Sequence, residues 1–360
     1  MSDYHFSQIR YNDKLALRQM ESLLAKEGIE RDANLDYSVG LYDEDYNLAA
    51  TGSAFGNTLR CLAVDNSHQG EGLLNQVISH LIDYQYRRGI LDLFLYTKCN
   101  TALFFKDLGF YEIARVDGKV VFMENRKGGF ERYLERLAEE TRSSGINVEP
   151  AAGTTGGRVG AVVMNANPFT LGHRYLAETA AAACDVLHLF VVSEDASLVP
   201  FAVREQLVKE GTAHLKNIVY HRTESYMISS ATFPSYFLKD SDTVIRSHAI
   251  LDITIFERIA AALGIGTRFV GEEPFSAVTG IYNQVMAEAL AADGMTCRVI
   301  PRKEAEGQAI SASKVRQAIK EGRLEEIRSL VPETTYRYFT SEEGLKIVEK
   351  IRGTADVVHY

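Results

Sequence analysis

The sequence predicts an α/β chain in two parts, an α+β domain of short strands followed by a doubly wound parallel sheet. Three observations carry this expectation. From Arg158 onward, strand-like and helix-like stretches alternate: "RVGAVVM", "LGHRYLAETAAAAC", "VLHLFVVS", "FAVREQLVKEGTAHL", "NIVYHR". Strands separated by helices of this length imply a parallel sheet with right-handed crossovers. Before residue 126 the rhythm differs, with short runs "YSVGLYD", "LAATGSAFG", "TLRCLAV" and "ILDLFLYT" and one helix signal from Leu73 to Tyr86. Finally, 360 residues exceed one ordinary domain, so two cores are expected.

The boundaries follow from these changes of pattern. Residues 1–126 form the first domain. Residues 127–157 are a linker, in which "FERYLERLAEETRSSG" has apolar positions three or four apart and reads as an amphipathic helix. The following "AAGTTGGR" has the composition of a flexible joint. Residues 158–335 are the second domain, where "AILDITIFERIAAALG", "TRFVG", "AVTGIYNQVMAEALAADG" and "TCRVIP" continue the alternation. A tail, 336–360, carries a last helix, "SEEGLKIVEKIRG".

Composition excludes several classes of function. Lys plus Arg number 39 and Asp plus Glu 48, a net charge of −9, which disfavours long-range attraction to nucleic acid or to an anionic membrane. The four cysteines, Cys61, Cys99, Cys184 and Cys297, are far apart and include no CxxC pair; that argues against a disulfide framework or zinc knuckle and for a reducing compartment. The amino terminus has no apolar signal core, and "TAAAACDVLHLFVV" is too short and too interrupted to span a bilayer. A cytoplasmic protein is expected.

The segment "MNANPFTLGHRYL" joins the first strand of the second domain to its helix. Pro168 lacks an N–H and biases Asn167 toward an extended shape, so the helix starts near Thr170 or Leu171. Thr170 and His173 then lie in the first turn, where open N–H groups and the helix dipole attract anions by about 0.3 to 1 kcal/mol per charge. Gly172 permits a ligand to approach the backbone closely, and a phosphate suits such a site. A second segment, "ISASKVRQAI", repeats the arrangement after the strand "TCRVIP", with Ser311 and Ser313 at a helix start and Arg316 one turn in. Thr170, Ser311 and Ser313 could each be ordinary helix caps. Two such helix starts at one sheet edge nevertheless make a cradle for a polyphosphate.

These segments resemble a known family. Thr170-Leu171-Gly172-His173 resembles the HxGH signature of the Rossmann-like nucleotidyltransferase superfamily, with Thr in place of the first His. Ile310 to Arg316 resembles its ISxTxxR partner, with Ser313 at the Thr position. The resemblance implies that Thr170, His173, Ser311, Ser313 and Arg316 hold the triphosphate of ATP and stabilise the transition state at the α-phosphorus. It implies further nucleotide contacts at Met164, Asn165, Asn167, Phe169, Gly172, Arg204 and Ile310. "FVGEEPFSAVTGIYNQVM" is similar to the family's strand and loop beside the base, through Gly271, Glu272, Pro274, Tyr282 and Asn283. Mg2+ on the phosphates is implied as well, although the motifs show no dedicated carboxylate cage. Such chemistry works by positioning and charge neutralisation and needs no nucleophilic side chain.

In the first domain, "AVDNSHQGEGLLNQVISHLI" resembles the pyrophosphate-binding loop of the GCN5-related N-acetyltransferases, and "YTKCNTALFFKDLGFYEI" their next motif. The implied ligand is a CoA-like arm, held by Val64, Gln69, Gly70, Glu71, Gly72 and Asn100. Leu74 stands where that loop has a small residue, and Phe105 where many members have the tyrosine that protonates the leaving thiolate. No general base stands out.

The pairing of the two modules resembles the citrate lyase ligases. That resemblance implies a reaction in which ATP and acetate form acetyl-adenylate and pyrophosphate. The acetyl group then passes to a thiol, with release of AMP. The implied acceptor is the phosphoribosyl dephospho-CoA group on the acyl carrier subunit of citrate lyase. Other readings stay open: a small-molecule adenylyltransferase of the phosphopantetheine type, a related ligase acting on malonate decarboxylase, or a CoA and nucleotide sensor without turnover. "TESYMISSATFPSYFLKD", Thr223 to Asp240, interrupts the α/β rhythm and is a candidate lining for an acetate pocket.

Overall fold

The computed structural model describes residues 4–32, 35–146, 158–193, 197–227, 241–272, 277–305 and 308–357. The chain divides into two units, one comprising Met1–Glu131 and the other Arg132–Thr232 with Asp252–Tyr360, while Leu251 and the residues just before it group with the first.

The first unit is an α+β sandwich. Its elements are β1 His5–Gln8, α1 Lys14–Lys26, β2 Tyr37–Tyr42, β3 Leu48–Phe55, β4 Thr58–Val64, α2 Leu73–Arg87, β5 Phe94–Thr97, α3 Ala102–Asp107, β6 Tyr111–Val116 and β7 Val120–Glu124. The sheet runs β1-β2-β3-β4-β5-β7-β6. Neighbouring strands are antiparallel except β4 and β5, which are parallel. Helices cover both faces, which explains why β2 and β3 are buried along most of their length. On one face α2 packs Leu73, Val77, Ile78 and Leu81 against Val39, Leu59 and Leu95. On the other, α1 packs Met20, Leu23 and Leu24 against Leu48, Cys61 and Ala63. Asp13 caps α1 by accepting from the amides of Leu15 and Ala16 at 3.2 and 3.0 Å. Neither α1 nor the β6/β7 hairpin stands out in the sequence.

The second unit is the expected doubly wound sheet. It contains β8 Val159–Met164, α5 Leu171–Ala183, β9 Val186–Val191, α6 Phe201–Gly211, β10 Ile218–Arg222, the part of α7 Ser241–Leu263 from Asp252 on, β11 Thr267–Gly271, α8 Ala277–Ala292 and β12 Thr296–Ile300. A small hairpin, β13 Glu304–Ala305 and β14 Gln308–Ala309, precedes α9 Ala312–Lys320, α10 Glu333–Phe339 and α11 Glu342–Gly353. The strand order is β10-β9-β8-β11-β12, and every pair in it is parallel. The inner strand β9 is buried at all six positions, as a parallel strand covered on both faces should be.

The stretch expected as a linker is partly a packed element. Helix α4, Gly129–Ser143, is capped at its start by Glu124, whose carboxylate accepts from the Phe130 amide at 2.8 Å. From Arg132 on it belongs to the second unit. There Tyr133 donates to the Arg222 carbonyl at 3.1 Å, Arg136 pairs with Glu224 at 2.6 Å, and Glu140 bonds His221 at 2.6 Å. Most of the expected Gly/Thr joint, 151–157, lies outside the described residues.

The tail is likewise part of a core. Val315 and Ile319 of α9 pack with Leu198, Val199, Ile327, Tyr336, Phe339, Val348, Ile351 and Val357. The carboxyl-terminal helices therefore brace the helix that carries the second motif. Phe339 is fully buried in this cluster, so Phe339→Ala is expected to cost about 3 to 5 kcal/mol. Urea unfolding followed by circular dichroism should show that loss; a change below about 1 kcal/mol would mean that the tail does not pack as described.

Candidate active site

In an open parallel sheet, ligands bind outside the strand carboxyl ends where the strand order reverses. Here the reversal is at β8, flanked by β9 on one side and β11 on the other. β8 pairs with β9 along its whole length, Val159 to Met164, but with β11 only from Gly160 to Val162. Past Val162 and Phe269 the two strands part.

The first motif leaves β8 at the buried Met164. Ala166 has φ 52° and the Asn167–Pro168 bond is cis. Phe169 turns inward and is fully buried; a Cβ on Gly211 would lie 2.4 Å from its ring. It therefore acts as a core residue under the site, parallel to the His173 ring at 5.9 Å. Helix α5 begins at Leu171 with Thr170 as its cap, as the Asn-Pro break predicts. Its first amides are less open than the sequence suggests. Leu171 N–H donates to the Leu330 carbonyl at 2.9 Å and His173 N–H to Thr170 Oγ1 at 3.3 Å. Gly172 N–H is the one left open among the described residues.

The hydrogen bonds of Thr170 set the state of His173. The Thr170 amide donates to His173 Nδ1 at 3.1 Å, and Thr170 Oγ1 lies 2.9 Å from the same nitrogen. A backbone amide can only donate, so Nδ1 must accept and the ring proton sits on Nε2. Burial pushes the imidazole down to about 4, with Arg302 and Arg316 adding repulsion. His173 is thus a neutral N–H donor at physiological pH.

The second motif meets the first directly. Ser311 caps α9, accepting from Lys314 N–H at 3.3 Å, and its Oγ lies 3.0 Å from Ser313 Oγ. A Cβ on Gly172 would stand 3.3 Å from the carbonyl oxygen of Ile310. What approaches Gly172 is therefore the backbone of the second motif. Arg316 is buried; its Nε donates to the Val357 carbonyl at 2.6 Å and its Nη1 to the Asn167 carbonyl. Burial lowers its pKa to about 10, with Asp356 opposing, so it keeps its charge. Arg316 joins α9, the Asn-Pro loop and the tail.

Arg204 does the same on the other side. It is fully buried and donates to the carbonyls of Val199 (3.0 Å), Asn165 (2.8 Å) and Val192 (2.7 Å) and to Asn165 Oδ1 (2.8 Å). That fixes the exposed Asn165 side chain, which also bonds Ser197 at 3.2 Å. Asn167 Oδ1 accepts from Val199 N–H at 3.0 Å, while its buried Nδ2 finds no acceptor. Gly271 ends β11, and the Glu272 carbonyl accepts from Arg302 at 2.7 Å. Pro274 lies outside the described residues, as do the side chains of Tyr282 and Asn283. So does the stretch from 228 to 240 of the expected acetate-pocket segment; Thr223 at its start is buried and accepts from Ser193 N–H at 2.9 Å. Sequence reasoning misses Ser197, Leu330, Arg302 and Val357, because no local pattern marks them and only folding brings them to the motifs.

The first unit has a cavity of about 550 Å³, with Val64, Gln69, Gly70 and Gly72 in its wall. Gly70 and Gly72 have φ 87° and 73°, left-handed values that strain any other side chain. Gly72 starts α2 without a side-chain cap, leaving the first amides of a 15-residue helix open beside the cavity. The wall does not include Glu71 or Asn100. Glu71 instead accepts from Tyr4 OH, which also bonds His68 Nδ1 at 2.8 Å.

The depressed pKa of His173 predicts a pH dependence. An unfolded imidazole titrates near 6.5, so between about pH 6.5 and 4 the unfolded chain binds a proton that folded His173 does not. The resulting contribution is absent above pH 6.5 and grows as destabilisation while the pH falls toward 4. His188, pushed down to about 3 by burial and then by His221, acts in the same direction. Urea midpoints at pH 7 and pH 5 should fall on acidification, and His173→Asn should lessen the fall. Nitrogen-15 spectra of the imidazoles should show His173 as the neutral Nε2–H form at pH 6; a protonated ring there would refute the assignment.

Residues 159–339 match the family model for the citrate lyase ligase C-terminal domain. The chain is 38% identical over 332 residues to the citrate (pro-3S)-lyase ligase of Klebsiella pneumoniae, covering 91% of this chain and 93% of that one. It is 36% identical over 339 residues to the enzyme of the same name from Escherichia coli strain K12, covering 92% and 93%. Among solved structures, a putative acyl-CoA N-acyltransferase from Klebsiella pneumoniae aligns with 34% of this chain and 95% of its own, at TM-score 0.30 and 16% identity. The ribosomal-protein-S18-alanine N-acetyltransferase of Escherichia coli aligns with 34% of this chain and 92% of its own, at TM-score 0.28 and 21% identity. At 36 to 38% identity across about nine-tenths of its length, the chain belongs to the citrate lyase ligase family.

Proposed function

We propose that this ligase uses ATP to activate acetate as acetyl-adenylate, releases pyrophosphate, and passes the acetyl group to a thiol while AMP leaves. The acceptor is the thiol of the CoA-like group, a phosphoribosyl dephospho-CoA, on the acyl carrier subunit of citrate lyase, and its acetylation switches the lyase on. The curated relatives carry the name citrate lyase ligase. The observation that carries the adenylating step is the junction at Gly172, where two capped helix starts meet across one crevice.

In this reading the ATP phosphates lie over the starts of α5 and α9. His173 donates from Nε2 to a phosphate oxygen as a neutral group, so its hydrogen bond does not depend on pH near neutrality. Ser311, Ser313 and the open Gly172 amide supply further donors. An acetate oxygen attacks the α-phosphorus, the bond to the β-phosphate bridge breaks, and pyrophosphate leaves. Arg204 and Arg316 position the loops, and Arg316 adds fixed positive charge behind them. Asn165 is oriented for the nucleotide side. Mg2+, which ATP chemistry of this kind ordinarily uses, supplies charge neutralisation when bound to the phosphates. Among the described residues no set of three or more His, Cys, Asp or Glu side chains could hold a metal, and no step is routed through one.

The uncapped start of α2 and the cavity beside it support the arm-binding role of the first unit, through Val64 and Gln69 to Gly72. Among the described residues no helix is long and apolar enough to cross a membrane, which is compatible with an acceptor on another soluble protein.

Acetate-dependent exchange of labelled pyrophosphate into ATP tests the first step without any lyase. His173→Ala is expected to lower exchange by roughly 100-fold, the loss of a preorganised donor, in protein that circular dichroism shows to be folded; near-normal exchange would reject the cradle. Transfer to deacetylated lyase tests the second step. Gly72→Val should raise the KM for the lyase tenfold or more while exchange continues; equal loss of both would remove the first unit from arm binding.

A further inference from the structure

The cavity of the first unit has a second polar end that the arm-binding loop does not use. β4 and β5 are paired only at Thr58 with Phe94 and at Leu59 with Leu95. Beyond those positions the cavity wall contains Leu62 and Val64, which belong to the α2 face, and also Ala63, which belongs to the α1 face. Successive strand residues point to opposite faces, so the cavity passes through the gap between the two strands. Toward α2 lie the open amides of the glycine loop. Toward α1 lie Glu27 and Lys98.

These two residues are tied together and incompletely satisfied. Lys98 Nζ donates to the backbone carbonyl of Glu27 at 2.8 Å. The Glu27 carboxylate oxygen Oε1 is shut off from solvent and has no hydrogen-bond partner. A buried acceptor without a donor is costly, and a ligand that brings a donor there removes the cost. Apolar side chains, Ile29, Leu62, Phe104 and Phe105 among them, also line the cavity. The matching ligand is a rod, anionic at the glycine-loop end, neutral along its length, and ending in a proton donor.

We propose that Glu27 and Lys98 receive and activate the thiol of the CoA-like arm, an inference that rests on the arm-binding reading given above. Glu27 Oε1 accepts the S–H proton, and the Lys98 ammonium stabilises the thiolate that remains. The sulfur bonds to the acetyl carbonyl carbon of the acyl-adenylate. The bond from that carbon to the phosphate oxygen breaks, AMP leaves with its electron pair, and Glu27 returns the proton to water. A neighbouring cation lowers a thiol's pKa from its usual value of about 8.5, so the thiolate forms nearer neutrality than the free thiol would.

The test uses the full chain with ATP, acetate and deacetylated citrate lyase. Acetyl transfer is measured from pH 6 to 9.5, and acetate-dependent pyrophosphate exchange is measured in parallel. Glu27→Gln is expected to lower the ratio of transfer to exchange by tenfold or more. Lys98→Met should move the acid limb of the transfer profile upward by about one pH unit, and Lys98→Arg should move it back. Wild-type transfer ratios and an unmoved acid limb in these variants would overturn the proposal. So would an equal fall in transfer and exchange. An unmutated chain that shows no acetate-dependent exchange would instead overturn the adenylate reading, and this proposal with it.

Discussion

The crevice of the second unit depends on one buried cation. Arg316 donates to the carbonyls of Asn167 and Val357, and so joins the loop after β8, the helix of the second motif and the tail. A buried guanidinium without acceptors is strongly unfavourable, so these carbonyls must be brought to it whenever the chain folds. The loop conformation and the docking of the tail are thereby coupled to the start of α9. Arg204 repeats the device with Val192, Val199 and Asn165. Two residues expected to touch nucleotide are thus engaged mainly in holding backbone in place. Preorganisation of this kind is where positioning chemistry gets its rate.

Each unit places its opening in the same physical way. Parallel strands hydrogen-bond for a few residues and then part, β4 from β5 after Leu59 and Leu95, β8 from β11 after Val162 and Phe269. A gap between strands is costly unless it is filled by side chains or a ligand. In the second unit Phe269 packs so closely over Gly160 that a Cβ there would lie 2.6 Å from its ring. In the first unit the gap remains as the cavity, with helix amides at one end and Glu27 and Lys98 at the other.

Much of this was legible beforehand. The strand and helix alternation after Arg158 is local, and every strand and helix it names is present. The Asn-Pro break located the start of α5, because the restriction on Asn167 and Pro168 is a property of the two residues themselves. Elements whose apolar pattern is short were missed, such as β6 and β7, which become strands only by pairing with each other and with β5. The linker helix is legible as amphipathic and the tail as a helix, but nothing local says what either packs against. Their apolar faces, through Tyr133, Leu137, Phe339 and Ile351, gain meaning only against a partner surface.

The sequence by itself determined the order of secondary structure, the two helix starts with their Thr, His and Ser residues, and the glycine loop before α2. These follow from backbone restriction and local hydrogen bonding, which a few consecutive residues settle. Only the tertiary structure decided that His173 is neutral, since that needs burial together with Arg302 and Arg316. It also decided that Gly172 makes room for Ile310, that Arg316 spends its donors on Asn167 and Val357, and that Glu27 and Lys98 close the far end of a cavity. Each joins residues distant in the chain, and desolvation and packing act on neighbours in space whatever their separation in sequence.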